Sequence, residues 1–199
     1  MPPKPDYLKP YLKAVKTHGG SFPALLWASR ETQHARFHAF SGLLDFSGLS
    51  VLDVGCGRAD LFDYMVSINQ HPAEYLGIEA VPALADAAQS AGCRIIREDF
   101  IEHPQCMFTG SDVVLFSGSL NTATDPVFYA TLRRAFDATA KHLVFNFLSS
   151  SYLAGAKHLY WRKPDEVDRF CRNVLSVAPT RSEAYLGGDA TFLLTKSFN

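Results

Sequence analysis

Ser50-Val51-Leu52-Asp53-Val54-Gly55-Cys56-Gly57-Arg58-Ala59-Asp60-Leu61-Phe62 reads as a buried strand, a glycine turn and the first turn of a helix. Val51, Leu52 and Val54 form the short apolar run expected of a parallel strand covered on both faces. Gly55 and Gly57 let the backbone turn sharply and leave no Cβ between it and a ligand. The helix that follows directs free N–H groups toward the same turn.

Asp53 narrows the choice of ligand. A dinucleotide-binding unit places a pyrophosphate against a similar turn. A carboxylate at the strand tip, two residues before the first glycine, repels phosphate and attracts an ammonium or sulfonium group. S-adenosylmethionine carries both cations, an adenosine and no phosphate. The third glycine of G-x-G-x-x-G is also absent, because Asp60 stands there. The structural alternative is an ordinary strand-to-helix turn.

Upstream, residues 1 to 22 read as extended or irregular, with a break at Gly19-Gly20-Ser21. Lys4, Lys9, Lys13 and Lys16 are interspersed with Pro2, Pro3, Pro5 and Pro10, the pattern of a solvated extension. A helix is expected from Pro23 to about Leu44. It carries Trp27, Arg30, Glu31 and Gln33 and can close over a ligand in the turn, with Arg30 reaching a carboxylate. The alternative has these charges on the surface and Trp27 in the core. His34 and His38 are four apart, but no third ligand is in sight and no metal site is expected.

Downstream, helices and strands alternate. A helix from about Ala59 to Ile68 precedes a strand over 73–79 that ends in Glu79. Glu79 lies 24 residues after Gly55, near the spacing at which a carboxylate meets a ribose diol. After an alanine-rich helix over Pro82 to Ala91, a third strand over 93–98 runs into Asp99-Phe100. That pair suits adenine, with Asp99 accepting from the exocyclic amine and Phe100 packing on the ring. A fourth strand over 111–116 leads into Ser117-Gly118-Ser119-Leu120-Asn121, either a wall beside the reactive part of the ligand or a capped connection. A helix over 126–139 and a fifth strand over 141–148 follow. Residues 149–163 form a Ser-rich, then aromatic, insertion with Tyr152, Tyr160 and Trp161. Pro164 opens another helix, and strands over 176–186 and 191–197 meet at Gly187-Gly188-Asp189 as a hairpin. The expected architecture is α/β: a doubly wound, seven-stranded, mostly parallel sheet with an antiparallel C-terminal hairpin.

Composition sets limits on partners. Nineteen basic and 20 acidic residues among 199 give a net charge of −1, so no global field attracts nucleic acid or an anionic membrane. No apolar run is long enough for a bilayer and the N-terminus lacks a signal-peptide core. Cys56, Cys93, Cys106 and Cys171 have no C-x-x-C spacing. Reduced thiols in a cytoplasm are expected.

Asp53-x-Gly55-x-Gly57, Glu79, Asp99-Phe100 and the fourth-strand loop together resemble a class I S-adenosylmethionine-dependent methyltransferase over about residues 48–198. The tract from Trp27 to Phe37 is similar to one found upstream of that fold in bacterial methyltransferases of unknown substrate. The resemblance implies S-adenosylmethionine as cofactor. Asp53, Gly55, Cys56 and Gly57 would lie at its methionine part, Glu79 at the ribose, and Asp99 with Phe100 at the adenine, with Ser117 and Arg30 completing the site. Trp27, Asn121, Tyr160 and Trp161 are the candidates for the acceptor pocket, and His103 and Asn121 for catalysis. The Asn/Asp-Pro-Pro-aromatic signature of DNA and protein amide methyltransferases is replaced by Ser117-Gly118-Ser119-Leu120, and metal-binding carboxylates of the catechol type are missing. A small-molecule acceptor is therefore expected, with no nucleic acid or membrane partner, in a monomer or homodimer. Residues 1–45 would form an extension and helix over the cofactor, and 46–199 the methyltransferase domain. The alternatives are a non-catalytic module that binds the cofactor for regulation or partner binding, and a nucleotide-dependent oxidoreductase, against which Asp53 argues.

Overall fold

The computed structural model describes residues 5–152, 154, 158–183 and 185–197. Seven strands form one sheet in the order β3-β2-β1-β4-β5-β7-β6: β1 Ser50–Val54, β2 Glu74–Ile78, β3 Arg94–Ile96, β4 Val113–Phe116, β5 His142–Leu148, β6 Thr180–Ser182 and β7 Asp189–Thr195. The first five strands run parallel, and β7 lies antiparallel between β5 and β6. The chain winds outward from β1 to β2 and β3 on one side, then returns to β4 and β5 on the other. That reversal opens a crevice at the carboxyl ends of β1 and β4, where ligands of doubly wound sheets bind.

Side-chain alternation divides the core. Leu52, Val54, Val114, Phe116, Phe145, Phe147 and Phe192 face Phe128 and Leu132 of α5 (Asp125–Ala138) and Val167 and Cys171 of α6 (Pro164–Val174). On the other face, Val51, Leu115, Val144 and Leu193 meet Phe37 and Phe40 of α2 (Arg30–Leu43) and Leu61 and Met65 of α3 (Asp60–Ser67). The helix upstream of the glycine turn is thus part of the layer that buries the sheet. Asp53 lies between Val51 and the turn on this second face, where apolar neighbours strip it of solvent.

The N-terminal region is more ordered than its prolines suggest. Residues Lys9–His18 form a helix, α1, with Pro10 in its first turn, where a missing N–H leaves no bond unmade. Leu8, Tyr11, Leu12 and Val15 pack on Ala24 and on Val81 and Leu84 at the start of α4 (Pro82–Ser90). The expected helix from Pro23 is in fact a short 3-10 turn, Phe22–Leu25, which ends at Leu26 with φ 60°. Helix α2 starts afresh at Arg30, capped reciprocally by Ser29 and Thr32. Of the closing strands, β6 is much shorter than expected, while β7 has the expected length but starts and ends two residues earlier. Asp189 is not a turn residue but the first residue of β7, paired with Leu148. No described helix is long and apolar enough to cross a membrane.

Candidate functional site

A cavity of about 310 Å³ lies at the carboxyl ends of β1, β2, β4 and β5. Its floor is the glycine turn. Gly55 has φ 73°, and a Cβ there would stand 2.4 Å from Cβ of Ser119. The backbone N–H groups of Gly55 and Cys56 both donate to the carbonyl of Ile78, at 2.8 and 3.0 Å, tying the turn to the end of β2. Gly57 has φ 59°, and its Cβ would meet Cδ2 of Leu25 at 2.6 Å. Ala59 is also left-handed, at φ 63°, and starts α3. The turn is therefore bare backbone, clamped between the 3-10 turn and the loop after β4.

Three carboxylates from the ends of β1, β2 and β3 stand around this floor. Asp53 is buried, and its Oδ2 accepts a 2.5 Å hydrogen bond from the Tyr75 hydroxyl. Its Oδ1 has no partner among the described residues. Burial pushes Asp53 up to about 7, opposed by the Tyr75 bond and helped by nearby Asp60. Glu79 accepts from the N–H of Gly57 at 2.8 Å and of Val81 at 2.7 Å, so it holds the turn to the start of α4. Burial lifts Glu79 to about 7 despite these bonds. Asp99 accepts from the N–H groups of Ile101 and Glu102 through Oδ1 and from the Tyr7 hydroxyl, at 2.8 Å, through Oδ2. Phe100 lines the cavity and meets Phe116 edge-on. Cys56 lines it too, and burial holds its thiol well above the usual range, which fits a small side chain in the turn better than a nucleophile.

The opposite wall is the loop after β4. The Gly118 N–H donates to Oδ1 of Asn146 at 2.6 Å, and Oγ of Ser119 donates to the Val54 carbonyl at 2.6 Å. These bonds leave Oγ of Ser117 buried without a partner among the described residues. Asn121 is buried in the wall. Its Oδ1 accepts from the N–H of Leu148 at 3.3 Å, and its carbonyl from that of Tyr160 at 2.8 Å. Trp27 lies across this loop, within 3.3 Å of the position a Cβ on Gly118 would occupy.

The structure separates several residues that the sequence suggested together. Arg30 is exposed, stacked on Phe22 and outside the cavity, because α2 begins at that residue and points it outward. Arg36 takes the interior position: it sits over the Trp27 ring at 4.4 Å and is ion-paired with buried Asp189. His103 is exposed and bonded to Glu98 at 2.8 Å, away from the cavity, since the chain turns outward after Asp99. Tyr160 and Trp161 are partly exposed and outside the lining; His158 and Leu159 of the same insertion reach it. His34 packs on Phe37 and Tyr64, and the described residues contain no group of three or more His, Cys, Asp or Glu able to hold a metal.

Tyr7, Tyr11, Arg36 and Asp189 line the cavity and were not singled out from sequence, whereas Gln33, on the helix expected to close over the turn, lines it as well. Gln33, Arg36 and Phe37 lie at i, i+3 and i+4, so the helical face itself was a usable signal. Asp189 was hidden by the hairpin dipeptide before it. The residues present suit S-adenosylmethionine: a turn whose glycines leave no room for a Cβ, oxygens on Gln33, Asp53 and Ser117 without a partner among the described residues, and carboxylates beside the turn for its cations and ribose.

Strand order and helical layers define the class I methyltransferase fold. No protein-family model matches the chain, and no curated protein matches it. Solved structures do. The plantazolicin methyltransferase BpumL in complex with S-adenosylhomocysteine aligns over 96% of this chain and 94% of its own, at TM-score 0.71 and 12% identity. DhpI, in a complex with S-adenosylmethionine, aligns over 98% and 100%, at 0.68 and 13%. Magnesium protoporphyrin IX methyltransferase from Synechocystis PCC 6803 aligns over 84% and 82%, at 0.63 and 14%.

Proposed function

We propose that the chain binds S-adenosylmethionine and transfers its methyl group to a small molecule. The observation that carries this is Asp53: a buried strand-tip carboxylate with one oxygen unpartnered, beside a glycine turn with no room for a side chain. A phosphate would be repelled there. A cation supplies what the unpartnered oxygen lacks and lowers the cost of its buried charge.

The bound cofactor would supply an activated methyl on a sulfonium, so the protein's share is alignment and exclusion of water. Asp53 and Glu79 would hold the cationic and ribose parts, with Glu79 kept in place by two backbone N–H groups. Phe100 gives an apolar face for the adenine. Asp99 is already bonded to Tyr7, which ties the segment before α1 to the adenine end. Leu25 covers the glycine turn and Trp27 the loop after β4, where both would help to exclude water from the bound cofactor. The loop Ser117–Asn121 is fixed from behind by Asn146, Val54 and Leu148, and gives the acceptor a rigid wall. A cavity of about 310 Å³ and a net charge of −1 favour a compact acceptor over a nucleic acid.

Calorimetry with S-adenosylmethionine and S-adenosylhomocysteine tests the cofactor. Binding of micromolar order is expected, with most of it lost in Asp53→Asn and in Glu79→Ala. A folded wild-type protein that binds neither would refute the proposal, and so would tighter binding of NADH.

A further inference from the structure

We propose that Asp189 anchors the methyl acceptor, and that the acceptor presents to it a basic nitrogen on a small apolar body. The proposal rests on the methyl-transfer reading and adds a residue and a substrate class to it. Asp189 pairs with Leu148 at the carboxyl end of β5. In the order β1-β4-β5-β7 it lies three strand spacings from Asp53, about 14 Å in the sheet plane at ~4.8 Å each. It is thus on the far side of the crevice from the strand tips that would take the ribose and adenine.

The side chain is 1% exposed yet lines the cavity. Its Oδ2 accepts from both Nε and Nη2 of Arg36, the former at 2.8 Å. Its Oδ1 has no partner among the described residues. A buried carboxylate oxygen without a donor is costly, and native proteins keep such atoms where a ligand or water completes them. Arg36, itself stacked on Trp27, fixes the carboxylate's position while leaving the free oxygen open.

Charge and surroundings select the donor. Among the described residues that line the cavity, Asp53, Asp60, Glu79, Asp99 and Asp189 face the guanidinium of Arg36, which Asp189 already engages, and the imidazole of His158. S-adenosylmethionine, with two cations and one carboxylate, offsets only part of this excess. The field left for the acceptor attracts a cation and repels an anion. The nearby walls, Leu148, Leu159, Leu186 and Trp27, suit an apolar body. An alcohol can bond to Oδ1 but gains nothing from the field.

The test titrates the full chain, saturated with S-adenosylhomocysteine, with phenethylamine, 2-phenylethanol and 3-phenylpropanoate. Phenethylamine is expected to bind at least tenfold more tightly than the other two. Asp189→Asn should lose that preference while its S-adenosylhomocysteine affinity stays within about threefold. Because that variant strands the Arg36 charge, Arg36→Gln/Asp189→Asn, which leaves no charge in the pair, is measured beside it and should lose the amine too. Amine binding unchanged in either folded variant, or a carboxylate probe that binds best, overturns the proposal. Failure of S-adenosylhomocysteine to bind the wild type overturns the methyl-transfer reading and this one with it; its binding without amine preference overturns only the role of Asp189.

Discussion

Acid should weaken cofactor binding steeply between pH 8 and pH 6, because the two buried carboxylates must ionise, Asp53 to receive a cation and Glu79 to accept from the ribose hydroxyls. Asp53 and Glu79 are both held near 7, chiefly by desolvation. At pH 8 both are largely ionised, and binding draws on charge already present. At pH 6 each is about one unit below its midpoint, and ionising it costs about 1.4 kcal/mol, or tenfold in affinity. If both carboxylates are needed, Kd weakens about a hundredfold from pH 8 to pH 6; if only one is, about tenfold. The stability of the free protein should move in the opposite direction. A carboxyl whose folded pKa is raised binds more protons folded than unfolded, so these two groups lower stability as pH rises from about 4 to about 7. Cofactor should therefore raise the melting temperature more at pH 8 than at pH 6. Calorimetry at pH 6, 7 and 8, in buffers of different ionisation enthalpy, reads both the affinity and the protons released. A Kd that is flat over this range, or tighter in acid, would refute the placement of the cation and the ribose against these carboxylates.

Three further outcomes follow from the geometry. Tyr75→Phe removes the one hydrogen bond that lowers Asp53, so the pH midpoint of cofactor binding should shift upward; an unchanged or lower midpoint would dissociate Asp53 from the effect. Gly55→Ala puts a Cβ at a left-handed residue and 2.4 Å from Ser119 Cβ, for which strain and overpacking together give about 2–4 kcal/mol in a urea melt; a loss below about 1 kcal/mol would mean the turn relaxes freely. Tyr7→Phe frees Oδ2 of Asp99; α1 has no fully buried residue, so global stability should fall by less than about 1 kcal/mol while amide exchange over residues 9–18 speeds up. Exchange unchanged there would show that the apolar contacts of α1 alone hold it.

What was legible in the sequence was local. The alternation of apolar runs with helical segments set the order of elements, and the acids sit at their own strand ends, Asp53 as the penultimate residue of β1 and Glu79 and Asp99 one and three residues past β2 and β3. Each needs only its own few neighbours to be placed, so the motif and its spacing sufficed. The N-terminal helix was missed because Pro2, Pro3, Pro5 and Pro10 among the lysines read as a solvated extension, although the first turn of a helix tolerates Pro10. Arg30 was singled out and Arg36 was not, because sequence does not say where a helix starts relative to the sheet; the Ser29 cap fixed that phase and turned Arg30 outward.

Asp189 marks the limit most clearly. Next to Gly187-Gly188 it reads as a turn, and nothing in its neighbourhood connects it to Arg36, 153 residues away. Only the closure of β7 against β5 brings it beside the cavity, and only burial by α2 gives its charge weight. The chain alone therefore determined the strands, the glycine turn and the acids at their tips, since those depend on short-range periodicity and backbone freedom. The tertiary structure decided which charges share a desolvated space, because burial and pairing between distant residues belong to the packed sheet and not to any one stretch of it.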